Sequence, residues 1–348
     1  MEIRIYNSAL DLQGIIENQT SLLWRRCYFS PGDFELHAPV TADNVRMLQI
    51  GNLVALRGGD DAGIVEDFSF EESADKIEIT AKGRFLAAYM GYRIIRGTMN
   101  IDTTAELAMR QLLGGASPIP LVEMGEVHGF PRSIAGQVTN KNLLSFMTKL
   151  AKAGTIGFRF RPDFRHKRII FETYAGVDRS EGQCERSRVV FSEAYDNING
   201  ASYRVNDQSF ANVAYVTGIN AAGQEITLEV GDTESAGLSR REIYVDGSSV
   251  SAAGLTYEEF RAALRQEAQN TLNARAFSES FSCDTNAAGN FVYRTHYDLG
   301  DIVTVKKIRW GLSKALRITE LQETYENGSM TVTPVFGTPL PTAIDWEE

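Results

Sequence analysis

The strongest constraint on the fold is the alternation of apolar and polar residues in short runs over the first hundred residues. Such runs cover residues 2–6, 33–37, 52–57, 63–70 and 76–82. Side chains of a strand point alternately to opposite faces, so this pattern is typical of strands with one buried face. Turn-forming residues separate the runs at 31–33, 58–61 and 72–75. We therefore predict that residues 1–97 form an antiparallel β domain closed into a small barrel or sandwich.

A helical period replaces the alternation after about residue 98. Thr103 and Glu106 have the spacing of a capping box, and an amphipathic helix is predicted after Asn140. We expect residues 98–197 to form an α/β insertion. Alternation returns in 198–232, which is expected to complete the first barrel. A second β-barrel domain is expected in 233–348, with one long helix near 256–275 that is capped by Thr256 and Glu259.

An internal quasi-repeat links the two predicted barrels. Residues 51–83 read as glycine, strand, turn, strand, turn, strand and glycine, and residues 300–337 follow the same order. Chains rich in strands also produce this order by chance. If the blocks are duplicated, the chain contains two related three-stranded meanders, and therefore two related barrels.

Charge limits the kind of partner. Lys plus Arg total 35 and Asp plus Glu total 45, a net charge of −10. Stable binding to nucleic acid needs clustered cations, so this balance argues against it. Three widely spaced cysteines indicate neither a disulfide framework nor a zinc site. No signal peptide or membrane-spanning segment is expected.

The sequence offers no convincing catalytic, cofactor-binding or metal-binding residue. It has no GxSxG motif, and its four histidines, His37, His128, His166 and His296, lack neighbouring ligands at metal spacing. The loop 58–63 carries two acids where a phosphate would be repelled, and is predicted to be a hairpin turn. Close carboxylates suggest a glycosidase pair but equally suit a solvated strand face; they are Glu66, Glu78, Glu71, Glu72, Glu193 and Asp196.

A basic and aromatic run at residues 157–168 allows two interpretations. Phe158 and Phe160 alternate with Arg159 and Arg161. The run could stack on single-stranded nucleic acid, or it could be a strand whose aromatic side chains lie in the core. We favour the strand, with the arginines available for a contact between subunits.

Several runs form a pattern when they are taken in order. They include YFSPGDFELHAP at 28–39, AGIVED at 62–67, KGRFL at 82–86, FETY at 171–174 with Gly176 and residues 178–180, and FSEAYDN at 191–197. In their order and spacing, these runs resemble the siphophage and prophage tail-hub family. The resemblance covers residues 1–246 well. Beyond that it depends on Gly300, Asp301 and the ending TPVFG at 333–337.

This resemblance implies a structural protein of the tail tip and not an enzyme. Hub proteins of this kind, including those of contractile tails, have two β-barrel domains per chain and form homotrimers, which matches a threefold tip to a sixfold tail tube. Partners would be the distal tail protein ring, the tape-measure protein and receptor-binding tip or fibre proteins. Synthesis and assembly would take place in the bacterial host cytoplasm.

Two further expectations follow for a hub. Only 11 residues follow Gly337, so any lytic enzyme or fibre would be a separate chain. In a hub, acidic side chains would line the channel, so that DNA would pass through it without binding stably. The alternative is a surface protein that binds or cleaves carbohydrate. An enzyme of that class should show two close, buried carboxylates in a cleft, one with a raised pKa.

Overall fold

A computed structural model describes residues 1–72, 77–116, 118–248, 250–275, 278–285, 290–326 and 328–337. The predicted tail at 338–348 and most of the predicted turn at 72–75 lie outside these residues. The strands are β1 (Ile3–Tyr6), β2 (Leu12–Ile16), β3 (Ser21–Cys27), β4 (Asp33–Pro39), β5 (Leu53–Leu56), β6 (Ala62–Ile64), β7 (Asp67–Glu72), β8 (Ile77–Arg84), β9 (Thr98–Thr104), β10 (Val122–Met124), β11 (Ser133–Thr139), β12 (Gly157–Asp163), β13 (Arg168–Tyr174), β14 (Val190–Ser192), β15 (Ile198–Asn206), β16 (Val213–Ile219), β17 (Glu225–Gly231), β18 (Glu242–Asp246), β19 (Ser278–Thr285), β20 (Ile302–Lys307), β21 (Leu312–Glu326) and β22 (Ser329–Gly337).

Helices are few and mostly short. They are α1 (Ala42–Met47), α2 (Ala105–Ala116), α3 (Leu143–Gly154) and α4 (Tyr257–Ala274), with 3₁₀ turns at Leu86–Tyr92, Glu193–Tyr195, Gly237–Ser239 and Ile308–Trp310. The prediction of a mainly β chain with an α/β insertion is confirmed. Among the described residues, the helices lack the length and apolar character needed to cross a membrane.

The N-terminal strands enclose one apolar core, here called the first core. The sheet β2-β1-β5-β6 and the strands β3, β4 and β8 contribute its buried side chains. Alternate residues point inward, as the sequence pattern predicted for β1, β4, β5 and β8. β3 alternates in the same way, although it lies outside the predicted runs. The main members are Ile3, Ile5, Leu22, Trp24, Phe34, Leu36, Val54 and Ile79.

A second core lies between strands from the end of the chain. β19, β20, β21 and β22 contribute to it, together with β14 and β15. Its aromatic side chains are in mutual contact, with the ring centroids of Phe191 and Phe336 5.3 Å apart. Its main members are Tyr28, Phe191, Phe281, Val303, Leu316, Ile318 and Phe336.

The long strand β21 belongs to both cores. Its first half pairs with β20, from Leu312 opposite Lys307 to Arg317 opposite Ile302. Its second half pairs with β3, from Glu320 opposite Cys27 to Glu326 opposite Ser21. A single hydrogen-bonded sheet therefore passes from the first core into the second.

This pairing corrects the expectation that residues 198–232 complete the first barrel. β15 pairs with β19 beside the second core, and β16 and β17 form a separate sheet with β18. The physical reason is apolar burial: β15 pairs with β19, and Ile198 of β15 is buried in the same apolar cluster as Phe281 of β19. The expected boundary of the second barrel at 233 changes too, because β14 and β15 contribute Phe191 and Ile198 to the second core.

The sheet β17-β16-β18 packs its inner face on helix α4, and we call this the α4 unit. Phe260, Leu264 and Leu272 of the helix are buried against Ala214 and Val216 of the sheet. The predicted capping box is present: the Glu259 side chain accepts from Thr256 N (2.8 Å), and Thr256 Oγ1 accepts from Glu259 N (3.4 Å). The predicted long helix near 256–275 is therefore confirmed.

The quasi-repeat is only partly reflected in the strand pairing. Residues 300–337 form the three-stranded meander β20-β21-β22. In residues 51–83 the chain changes sheets between β6 and β7, so that β5 and β6 lie in one sheet and β7 and β8 in another. Gly83 permits this change, since a Cβ there would lie 1.7 Å from the carbonyl oxygen of Ile64.

Helices α2 and α3 of the insertion pack on each other and on the hairpin β12-β13. α3 begins after the N-cap Asn142, close to the predicted start. The predicted capping box at Thr103 does not form, because helix α2 begins at Ala105 and Glu106 points into the interior.

Glu106 instead anchors a loop. Its carboxylate accepts from the backbone N–H groups of His128 (2.8 Å), Gly129 (2.8 Å) and Phe130 (3.2 Å), and from Thr173 Oγ1 (2.8 Å). Burial opposes ionisation, but these hydrogen bonds outweigh it and hold the pKa of the Glu106 carboxyl below its usual value.

We predict that Glu106→Gln lowers the free energy of unfolding by about 3 kcal/mol near neutral pH. The amide has one acceptor oxygen where the carboxylate has two, so buried N–H donors lose partners. Because the folded-state pKa is lowered, the wild-type advantage is fully present above the unfolded-state pKa, about 4.3. It shrinks as the pH falls through the folded-state value. Urea unfolding at several pH values measures this.

Glu123→Gln is the matched control in the same unit. Glu123 pairs with Arg168 at 2.8 Å, but its side chain is 58% exposed. Glu123→Gln should lower the free energy of unfolding by less than about 1 kcal/mol. Equal costs for the two variants, or a Glu106→Gln cost that does not depend on pH, would contradict the assigned role of Glu106.

Candidate functional site at the junction of the two cores

A buried arginine lies where the two cores meet. Arg26 follows Leu22 and Trp24 on the inward face of β3 and is only 8% exposed. Its guanidinium donates to Asp61 Oδ2 (3.0 Å), in the turn between β5 and β6. It also donates to Asp298 Oδ1 (2.7 Å) and to the hydroxyl of Tyr293 (2.8 Å), in the segment that precedes β20. One cation therefore joins the first core to the second.

A buried carboxylate extends this network along β21. Glu323 is 1% exposed and accepts from the Tyr293 hydroxyl (2.7 Å), from Arg294 (3.0 Å) and from the Tyr325 hydroxyl. Burial raises the pKa of both tyrosines, so their hydroxyls remain protonated donors. Arg26, Tyr293 and Glu323 thus form a continuous hydrogen-bonded chain in which the charges are paired, as buried charges require.

The backbone is closely packed beside this network. Tyr28 is fully buried, and its hydroxyl donates to the carbonyl of Thr155 (3.2 Å). Gly300 has a φ of +91°, and a Cβ there would lie 2.3 Å from the Tyr28 ring. A Cβ on Gly176 would lie 1.9 Å from the carbonyl carbon of Gly300. These approaches require glycine, because any side chain would force the segments apart.

Asp301 fixes the segment that follows. It accepts from Val177 N (2.8 Å), Arg179 Nε (3.0 Å) and Asp298 N (3.1 Å). Three of the runs on which the family resemblance depends, 28–39, 176–180 and 300–301, therefore meet at this junction. Three runs that are far apart in the sequence therefore pack together in one site.

The junction has no space for a substrate. A cavity of about 20 Å³ lies beside it, lined in part by Arg26, Cys27, Asp61, Phe85 and Tyr174. That volume holds about one water molecule, whereas small-molecule sites measure hundreds of Å³. What the arrangement can do is hold two cores in a fixed relative orientation.

Three of the carboxylates singled out from the sequence, Glu66, Glu78 and Glu193, each have a separate partner. Arg84 binds Glu66 (2.7 Å) and Lys307 pairs with Glu193, while Glu78 lies 3.3 Å from the ring of His37. The hydrogen bond from Arg84 lowers the pKa of Glu66, so this carboxyl stays ionised at neutral pH. The general acid of a glycosidase would instead need a raised pKa.

The histidines likewise contact nearby polar groups. His166 lies 2.8 Å from Asp163 and, with Arg168, lowers the pKa of that carboxyl to about 2. The ring of His296 accepts from Val292 N (2.8 Å), and the backbone N–H of His128 donates to Glu106. Within the described ranges, no three His, Cys, Asp or Glu side chains are grouped so that they could hold a metal ion.

The cysteines are free thiols with different exposure. Cys184 is exposed, Cys27 is half-buried and Cys283 is buried. Burial raises the pKa of the Cys27 and Cys283 thiols to about 12, so neither forms a thiolate nucleophile at neutral pH.

The basic and aromatic run forms a strand, as favoured from the sequence. Phe158 and Phe160 on β12 are each 2% exposed. Arg159 and Arg161 both bind Glu172 on β13, at 2.9 and 2.7 Å. These arginines are thus paired within the chain, which reduces their availability for a second subunit.

Sequence reasoning missed Arg26 and Glu323, and it gave Glu106 a capping role that the structure does not show. A signal existed for the two missed residues: Arg26 continues the inward alternation of Leu22 and Trp24, and Glu323 continues that of Leu321. A charged residue at an inward position of a strand indicates a buried partner. The partners Asp61, Asp298 and Tyr293 could not be identified, because they come from distant parts of the chain.

Comparisons with known proteins agree with this fold. The family model described as "Siphovirus ReqiPepy6 Gp37-like protein" matches residues 2–338. No curated protein sequence is significantly similar to the chain.

Several solved structures share the fold at low sequence identity. The 43 kDa tail protein of prophage MuSo2 from Shewanella oneidensis has a TM-score of 0.63 at 15% identity, covering 98% of this chain and 100% of that one. A tail protein from Neisseria meningitidis MC58 has a TM-score of 0.62 at 11% identity, covering 99% and 98%. Prophage tail protein gp18 from Listeria monocytogenes EGD-e has a TM-score of 0.55 at 12% identity, covering 97% of this chain and 94% of that one.

We predict that Arg26→Met lowers the free energy of unfolding by about 3–5 kcal/mol, because it leaves Asp61 and Asp298 without their cation. Arg25→Met on the same strand is the matched control. Arg25 pairs with Asp33, but its side chain is 44% exposed, so its loss should cost less than about 1 kcal/mol. Chemical unfolding of both variants checks this, and similar costs would contradict a junction held by Arg26.

Proposed function

The chain belongs to the Siphovirus ReqiPepy6 Gp37-like protein family, and on this premise we propose that it is the structural hub protein at the tail tip of a siphophage or prophage. A structural role in a phage tail is supported by the family and by the tail-protein fold. The observation that supports a hub in particular is the junction, in which a buried ion-pair network and a shared strand join two β cores.

Such a unit suits a trimeric ring. Three chains with two strand-rich cores each would present about six similar surfaces to a sixfold tail tube, while the ring keeps the threefold symmetry of the tip. This match works only if both cores keep a fixed relative orientation. The junction at Arg26 and the continuous strand β21 support that requirement.

The partners follow from the position at the tip. The hub would contact the distal tail protein ring on one side and the receptor-binding tip or fibre proteins on the other, with the tape-measure protein in the channel. It would be synthesised and assembled in the cytoplasm of the bacterial host. Each of these contacts is structural, and no catalytic step is assigned to the chain.

The acidic charge has a role in this proposal. Three copies at −10 each give 3 × −10 = −30 per ring. A channel lined by carboxylates repels the phosphates of DNA, so that DNA passes through the hub without binding stably.

We predict that purified particles contain about three copies of this chain per tail, at the tip. Quantitative mass spectrometry against the sixfold tail-tube subunit gives the copy number, and cryo-electron microscopy of the tail gives the position. Deleting the gene should leave particles without functional tails.

Two results would contradict the hub proposal, and a third would contradict its account of the charge. The chain could be absent from purified particles, its copy number could be a multiple of six per tail, or the lumen could be lined by lysine and arginine. The last result would overturn only the role given to the charge.

A further inference from the structure

Strand β7 forms an exposed edge of the first core. In the described part of the chain, β7 pairs with β8 on one side and with no strand on the other. An open edge with apolar side chains is a surface that other chains can cover.

The core face of the sheet extends to this edge without being fully covered. Phe70 and Glu72 of β7 lie opposite Ile79 and Ile77 of β8. Ile79 is fully buried, whereas Phe70 and Ile77 are each 52% exposed. Phe70, Glu72 and Ile77 therefore form a surface in which a carboxylate lies between apolar groups, called here the acidic patch.

The charge of this edge disfavours pairing with itself. Asp67, Glu71 and Glu72 are exposed along β7, and none has an ion pair among the described residues. A second β7 placed against the first would bring carboxylates close together, and like charges on paired strands destabilise the pairing. The edge therefore favours a cationic surface.

The second core carries such a surface. The hairpin between β20 and β21 ends in the 3₁₀ turn Ile308–Trp310, in which Ile308 is 71% and Trp310 48% exposed. Arg309 between them is exposed and has no carboxylate partner within the described ranges. Gly311, at a φ of +64°, ends the turn, and Lys307 lies 5.1 Å from the centroid of the Trp310 ring. We call residues 308–310 the basic tip.

We propose that the basic tip of one copy packs on the acidic patch of a neighbouring copy. Apolar groups flank a cation on one surface and an anion on the other, and Trp and Arg are the side chains that contribute most at interfaces. The two surfaces differ and belong to different cores, so the contact is head-to-tail and forms a ring when the rotation closes. The inference depends on the trimer proposed above.

Cysteine cross-linking tests the contact in assembled particles. In a Cys184→Ser background, Glu72→Cys and Arg309→Cys are introduced together. If the surfaces touch, mild oxidation should give dimers and trimers on a non-reducing denaturing gel, because a disulfide requires Cα atoms within about 7 Å. Each single variant should remain monomeric. Glu72→Cys with Leu238→Cys is the matched control, since Leu238 is fully exposed in the α4 unit.

Charge reversal gives a second test. Arg309→Glu should reduce the yield of assembled particles at least about tenfold, since like charges across an interface are strongly unfavourable. Adding Glu72→Lys to the same chain should restore the yield. Arg165→Glu is the control, because Arg165 is also an exposed arginine and lies on the β12-β13 hairpin. Circular dichroism of each purified variant confirms that it folds.

The outcomes separate this inference from the proposed function. If wild-type particles contain the chain but the cysteine pair gives no cross-link, or if Arg309→Glu assembles normally, the contact is wrong and the hub role stands. Cross-linked ladders longer than a trimer would overturn the threefold closure. Absence of the chain from wild-type particles would overturn both proposals.

Discussion

The architecture depends on one buried cation, Arg26, at the point where two β cores meet. Removing a guanidinium from water is costly, and the cost is offset only where several acceptors surround it. Asp61 comes from the first core, and Asp298 and Tyr293 come from the segment leading into the second. Because the ion pairs form only when both cores are in place, the network couples their positions. β21 adds a continuous strand across the same boundary.

This coupling connects the fold to its proposed role. A subunit that matches a sixfold tube with threefold symmetry must present two similar surfaces at a constant angle. The close approach of Gly176 to Gly300, and of Gly300 to the ring of Tyr28 directly after β3, leaves little room for these three segments to move. The α4 unit has its own apolar cluster, so it can differ without changing the angle at the junction.

Much of the local structure could be predicted from the sequence, because alternation and capping are local signals. Strands β1, β4, β5 and β8, the hairpin turn at 58–61 and helix α4 agree with predictions made from their own residues, whereas β2 and β3 lie outside the predicted runs. Strand partners could not be predicted, because they depend on contacts between residues that are distant in the sequence. Residues 198–206 indicate a strand but not its partner, and they pair with β19, where Ile198 is buried in the second core. Glu106 is a second example. Its spacing from Thr103 can be read from the local sequence, but its burial depends on distant residues and cannot.

The central claim is that the junction holds the two cores as one rigid body. Pulsed electron paramagnetic resonance tests it directly, with spin labels at Asp43→Cys on α1 and Ser313→Cys on β21, in a Cys184→Ser background. The account predicts one narrow distance distribution in the wild-type junction and a broad one after Arg26→Met. A broad distribution with Arg26 intact, or no change after its removal, would contradict the claim.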